Sequence, residues 1–236
     1  MLISHKHGFI YTKTAKTAGT SVESYFEKFC MPENQWEFSH AREEYESDEG
    51  IIGFRGMNSS GKKWYNHMSA AEIRSKAGAE VWDRYFKFCV VRNPFDKLVS
   101  AFYFYTTAAQ PNSNGNAANW SEEEQIRQFR HWSRHGGRVL DRDKYVVDNQ
   151  VCMDFFIRYE ELENGIRFVS ERLGLAFEPE RLPKLKSGIR DHKIAVKDFY
   201  DAKTIEMVKK LYSLELELFG YELNSAGQPQ GELISP

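Results

Sequence analysis

Cysteine is scarce in this chain of 236 residues: Cys30, Cys89 and Cys152. Odd in number, widely spaced and set among apolar or aromatic neighbours, they argue against a disulfide framework and read as buried free thiols in a reducing compartment. Long apolar runs are missing too. None approaches the ~20 residues that a bilayer-spanning helix needs, so no integral membrane segment is expected. The opening residues, Met1-Leu2-Ile3-Ser4-His5-Lys6-His7-Gly8, carry neither the apolar stretch nor the small-residue cleavage site of a signal peptide, which points to a cytoplasmic protein. An excess of one charge sign is also absent. With 32 Lys+Arg against 34 Asp+Glu the net charge is −2, which argues against a nucleic-acid partner, since such partners select strongly basic surfaces. No convincing metal set emerges, because His5 and His7 flank Lys6 in what reads as a fraying terminus. What the chain does have is 41% hydrophobic and 14% aromatic residues. That content excludes a largely disordered chain, and the length suits one large domain.

Charge is balanced overall but not locally. Residues 33–50 hold seven acids (Glu33, Glu37, Glu43, Glu44, Glu46, Asp48, Glu49) and one base, Arg42. This stretch reads as a solvated face, and the Asn/Gly-rich residues 106–119 as a long loop. Residues 181–197 hold six bases and one acid, interrupted by Gly188 and Pro183. They read as a cationic loop suited to an anion.

Apolar periodicity gives the organisation. Gly8-Phe9-Ile10-Tyr11-Thr12 reads as a strand, followed by a small-residue loop. An amphipathic helix then follows, with Val22, Tyr25, Phe26 and Phe29 at i, i+3, i+4, i+7. A second unit runs from the strand Phe86-Lys87-Phe88-Cys89-Val90-Val91 through Arg92-Asn93-Pro94 into a helix at 95–105. A third is a strand at 152–159 and a helix at 160–173, stopped by Gly174. Further helices are expected at 69–77, 121–135 and 202–218. Strands alternating with helices imply an α/β protein, a P-loop-like three-layer fold with a central parallel sheet flanked by helices. Residues 1–224 read as a single domain and 225–236 as a flexible C-terminal tail.

Two turns carry the chemistry. In Ala15-Lys16-Thr17-Ala18-Gly19-Thr20-Ser21 small residues let backbone N–H groups converge on an anion. The helix N-terminus adds its dipole, Lys16 a point charge, and Thr20 and Ser21 two hydroxyls. The lysine precedes the glycine, so this is not the Gly-x-x-x-x-Gly-Lys-[Ser/Thr] loop. Lys13, at the strand exit, reads as solvated. In the second turn Arg92 leaves a strand at its C-terminal end, the edge where open α/β sheets bind ligands. Its bidentate fork suits a phosphate, and Ser100 lies two helical turns on. Two anion sites on neighbouring turns imply one ligand with two separated phosphates.

Lys16-Thr17-Ala18-Gly19-Thr20-Ser21 resembles the 5′-phosphosulfate loop of the PAPS-dependent sulfotransferases. Arg92-Asn93-Pro94 through Ser100 and Tyr103 resembles that family's 3′-phosphate motif. Phe156-Ile157-Arg158-Tyr159-Glu160-Glu161-Leu162 and the segments around Asp198-Phe199-Tyr200-Asp201 and Phe219-Gly220-Tyr221 are also similar. The resemblance covers residues ~8–223 and is nearest to the carbohydrate branch typified by heparan-sulfate 2-O-sulfotransferase. Ala15 and Lys97 depart from it, where the family often has Pro and Arg. The resemblance implies transfer of the sulfuryl group of 3′-phosphoadenosine-5′-phosphosulfate (PAPS) to a hydroxyl of a carbohydrate or glycolipid acceptor, with no metal. Lys16 would stabilise the leaving phosphate, and Thr17 to Ser21 would hold it. Lys186 and Arg190 would close over the 3′-phosphate or nucleotide. An alcohol acceptor needs a base, and His67, between the two motifs and ahead of a helix capped by Ser69, matches the branch's histidine. A packing or capping role competes with that reading. His131, His135 and His192 are weaker rivals, and Glu23 is a further candidate for base or for orienting the acceptor.

Two other classes compete. A nucleotide-dependent kinase would need a magnesium-holding aspartate at the end of an apolar strand, for which Asp154 after Val151-Cys152-Met153 is a poor version. A non-catalytic nucleotide-binding module would be favoured if Lys16 or a base were missing.

Overall fold

The apolar run around Phe9 forms a strand in the computed structural model of the protein, and its sheet partners come from both sides of it in sequence. The structure describes residues 1–108, 117–182 and 194–226. Among these, residues 1–91 and 141–182 form one unit and residues 92–140 and 194–226 another.

The first unit is built on a six-stranded sheet. Its strands are β1 (Leu2–Ser4), β2 (Phe9–Tyr11), β3 (Tyr45–Glu46), β4 (Gly50–Ile52), β5 (Phe86–Val91) and, after the hairpin of β6 (Val146–Val147) and β7 (Gln150–Val151), β8 (Phe155–Arg158). The order is β3-β4-β1-β2-β5-β8. The expected parallel core is present as β2, β5 and β8, and β1, β4 and β3 extend it as antiparallel strands. The first residues therefore do not fray. Leu2 and Ile3 are fully buried, because β1 is hydrogen-bonded on both edges. The β6–β7 turn places Asp148 and Asn149 at φ 52° and 62°, an Asx pair suited to a tight hairpin that the helical periodicities did not reveal.

Alternation decides what covers the sheet. Leu2, Phe9, Tyr11, Phe88, Val90, Phe155 and Ile157 share one cluster with Val22, Tyr25 and Phe26 of α1 (Gly19–Phe26) and with Ile166 and Val169 of a later helix, Leu162–Arg172. Each such side chain contributes about 1.5–3 kcal/mol on burial. Lys87, on the opposite face, bonds the Trp82 carbonyl at 3.1 Å. Beside that face lie α2 (Ala70–Ala77) and α3 (Ala79–Arg84), and Tyr145 meets Phe156 edge to face. The architecture is thus mixed α/β, a central sheet flanked by helices.

The second unit is helical: α4 (Pro94–Tyr103), α5 (Glu122–Arg134) and, numbering Leu162–Arg172 of the first unit as α6, α7 (Ala202–Leu211) and α8 (Ser213–Phe219). Phe95, Leu98, Phe102, Phe129, Phe199, Val208 and Tyr212 lie in its core. The helix expected at 202–218 is two helices. Tyr212 leaves helical geometry at φ −114° and gives its hydroxyl to the Val139 carbonyl at 2.9 Å. The helix expected at 95–105 starts at Pro94 and loosens into a π turn at Phe104–Ala108. The centre of the 106–119 loop (109–116), the basic residues 183–193 with Lys186, Arg190 and His192, and all of the expected tail but residues 225 and 226 lie outside the described residues. Among the described residues no helix is long and apolar enough to cross a membrane.

Candidate active site

The loop between β2 and α1 carries unusual backbone geometry. Lys16 and Ala18 sit at φ 62° and 57°, in the left-handed region that non-glycine residues rarely enter. Alternating hands turn successive N–H groups to one side and make a concave nest for an anion. Ala18 caps α1 without a side-chain bond, and the Ser21 and Val22 amides bond the Ala18 carbonyl at 2.9 and 3.2 Å. The amides of Thr17, Ala18, Gly19 and Thr20 find no partner among the described residues. Gly19 is dictated by space, since a Cβ there would lie 2.9 Å from the Thr14 carbonyl and 3.0 Å from Lys13 Cγ.

The loop is pinned from below. Thr14 Oγ1 donates to the Val90 carbonyl of β5 at 2.5 Å and pairs with Thr17 Oγ1 at 2.8 Å. The Ala15 amide donates to Asp141 Oδ2 at 3.0 Å. Asp141 is a buried residue of this site that sequence reasoning missed, and its distance along the chain from Ala15 left no local signal. Lys16 and Thr20 are half-buried and Ser21 is buried.

Lys13 is not solvated. Its side chain is 3% exposed and its Nζ lies 2.7 Å from Glu23 Oε2. Glu23 is fully buried and also takes Arg55 Nη1 and the Met1 amine, each at 2.7 Å. Burial alone would raise its pKa, but Lys13, the Met1 amine and Arg55 together hold the carboxyl well below the usual range. A carboxylate so saturated with cations is a poor proton acceptor, which removes Glu23 as a base.

His67 belongs to the same unit, ahead of α2. Ser69 caps that helix as expected, in a capping box with Glu72. The imidazole Nδ1 lies 3.1 Å from the Lys13 carbonyl. A carbonyl only accepts, so Nδ1 carries the proton and Nε2 presents a lone pair. His67 exposes surface, yet protein crowds its ring. That crowding first, then the Lys13 ammonium and the Met1 amine, lower its pKa to about 4, while Asp141 and Glu23 oppose them. The ring is neutral at pH 7.

Arg92, Ser100 and Tyr103 lie in the second unit. Arg92 Nε and Nη2 grip Asp96 Oδ2 at 2.8 and 2.7 Å, so the guanidinium is oriented by the first turn of α4. Asn93 caps that helix through the Phe95 amide at 3.0 Å. Ser100 is half-buried, and the buried Tyr103 hydroxyl bonds Gln125. His131 and His135 stack on exposed turns of α5. The acidic stretch is largely matched by bases: Glu43 pairs with Lys62 at 2.7 Å, Glu46 with Lys63 at 2.8 Å, and Glu44 takes the Trp64 amide at 2.6 Å. Asp154 precedes β8 and caps the Lys87 amide at 2.7 Å, at the sheet edge opposite the loop. It cannot serve there as the kinase's metal-holding residue. Among the described residues no group of three or more His, Cys, Asp or Glu is placed to hold a metal ion.

A strand–nest–helix loop on a mixed sheet is suited to holding an anion. The family model described as "Sulfotransferase family" matches residues 1–222, and the chain belongs to that family. It is therefore a transferase of the sulfuryl group, and the family implies a hydroxyl-bearing acceptor. The chain is also 30% identical over 117 residues to an uncharacterized protein of Archaeoglobus fulgidus, covering 49% of this chain and 87% of that one. No solved structure matches.

Proposed function

We propose that residues 1–224 act as one catalytic domain that moves the sulfuryl group of PAPS to a carbohydrate hydroxyl. The observation that carries this is the loop itself: four amides without a partner among the described residues, a left-handed pair of residues, and a lysine just ahead of α1. That donor set fits a phosphosulfate, and PAPS would supply an activated sulfuryl group whose leaving phosphate needs positive charge. In this reading Thr17, Ala18, Gly19, Thr20 and Ser21 bind the 5′-phosphate, and Lys16 neutralises charge that grows on it. Arg92, held by Asp96, and Ser100 take the 3′-phosphate, with Lys186 and Arg190 as further nucleotide contacts. His67 Nε2 takes the acceptor proton, its tautomer set by the Lys13 carbonyl. No metal is required, because amides and side-chain cations provide the charge.

Calorimetry in EDTA with adenosine 3′,5′-bisphosphate and with AMP tests the donor assignment. The bisphosphate should bind at least about tenfold tighter, as one charged phosphate contact is worth 1.5–3 kcal/mol. Equal affinities would sink the 3′-phosphate role of Arg92 and Ser100. A screen of saccharide hydroxyls with labelled PAPS then tests the acceptor.

A further inference from the structure

Lys13 has no task in the reaction as proposed, yet three contacts of the site converge on it. Its ammonium sits 2.7 Å from Glu23 Oε2 with 3% of the side chain exposed. Its stem runs beneath the start of α1, where a Cβ on Gly19 would come within 3.0 Å of Lys13 Cγ and 3.3 Å of Cε. Its carbonyl holds His67 Nδ1 at 3.1 Å. Any residue would offer a carbonyl, but this residue also carries a side chain anchored on Glu23. Lys13 opens the anion loop and Glu23 lies on the helix that closes it, so their ion pair spans the loop as a strap.

Resting on the sulfotransferase reading of the same site, we propose that Lys13 is a positioning residue. Through the ammonium held by Glu23 and the carbonyl that holds His67, it fixes the imidazole relative to the anion-binding loop. An ion pair kept only for stability could be replaced by apolar groups at little cost. This one also places a cation beside the imidazole. The charged groups that act on His67 are Lys13 and the Met1 amine on the positive side, and Glu23 and Asp141 on the negative. Removing Lys13 charge should therefore raise the proton affinity of His67, and removing Glu23 charge should lower it. A strap whose charges lay out of reach of the imidazole would leave its midpoint unmoved in both variants.

The test follows the His67 ring by NMR-detected titration in the wild type, Lys13→Met and Glu23→Gln. Lys13→Met leaves Glu23 paired with Arg55 and the Met1 amine, so the fold should persist. Its His67 midpoint should move up by about one pH unit, and that of Glu23→Gln should move down. An unmoved midpoint in Lys13→Met, or shifts of the same sign in both variants, overturns the proposal. If Lys13→Met does not fold, Lys13→Gln, which keeps a donor toward Glu23, is read by the same criterion. Opposed shifts in a protein whose wild type ignores the bisphosphate would keep the positioning role and reject the donor assignment.

Discussion

Lys16 and His67 both hold left-handed backbone, at φ 62° and 57°. Each such residue stores roughly 1–3 kcal/mol of strain, which the surrounding contacts must offset. Lys16→Ala keeps the loop but removes its charge. It should lower kcat about 10²–10³-fold, as loss of a positioned donor at a developing anion does, with product affinity reduced far less. Single-turnover assays beside calorimetry would separate the two effects, and near-normal turnover would refute the role. His67→Ala should lower kcat about 10²–10⁴-fold with donor affinity nearly kept. The imidazole must be neutral to accept a proton, so activity falls as pH drops through its pKa. With that pKa lowered to about 4, the acidic limb of kcat/KM for the free enzyme should lie below the ordinary range of histidine. An anion held in the loop adds negative charge nearby, and the limb of kcat should lie at higher pH than that of kcat/KM. If instead the variant melts early but turns over normally per folded molecule, His67 is a capping residue.

At the scale of the element, the βα turn rests on the space beneath Gly19. Gly19→Ala would drive a methyl into the Thr14 carbonyl. We expect loss of most bisphosphate affinity in this variant with only a modest drop in Tm, checked by calorimetry and melting on one preparation. Unchanged affinity would mean that the loop is not the anion site. The turn was legible because its signal is local: small residues, a lysine and an amphipathic helix follow one another without a break. The same holds for Ser69 before α2, where the capping pattern and the cap coincide. Elements whose signal lies in distant partners were not legible. β1 is three residues long and looked like a loose end, whereas β5 and β8 were legible through their own apolar runs. Asp141 and Arg55 reach the loop and Glu23 from far along the chain. Lys13 looked solvated because a lone lysine at a strand exit usually is, and no pattern announces that Glu23 waits beneath it. Tyr212 breaks a helix that its apolar spacing would have continued, and its hydroxyl bonds the Val139 carbonyl across the unit.

For the whole molecule, two groups of the site add to the fold's sensitivity to acid. Glu23 has a lowered pKa when folded, so its stabilisation is full above the unfolded carboxylate value and is lost as pH falls toward the folded one. His67 also has a lowered folded pKa, so protons favour the unfolded chain between about 6.5 and 4. Both act in the same direction. The Tm should fall as pH drops from 7 to 4, and His67→Ala should flatten the upper part of that slope. A flat profile in the wild type would contradict both assignments. The loop is made of neighbouring residues, but its supports are not: Val90 supplies one wall and Asp141 another. Residues 13–21 are thus translated long before the groups that shape them. During synthesis the ribosome must deliver more than half of the chain before the nest can exist. Pairings this distant are slow to find, so the nascent protein has no competent donor site to offer until its first sheet has closed around its own beginning.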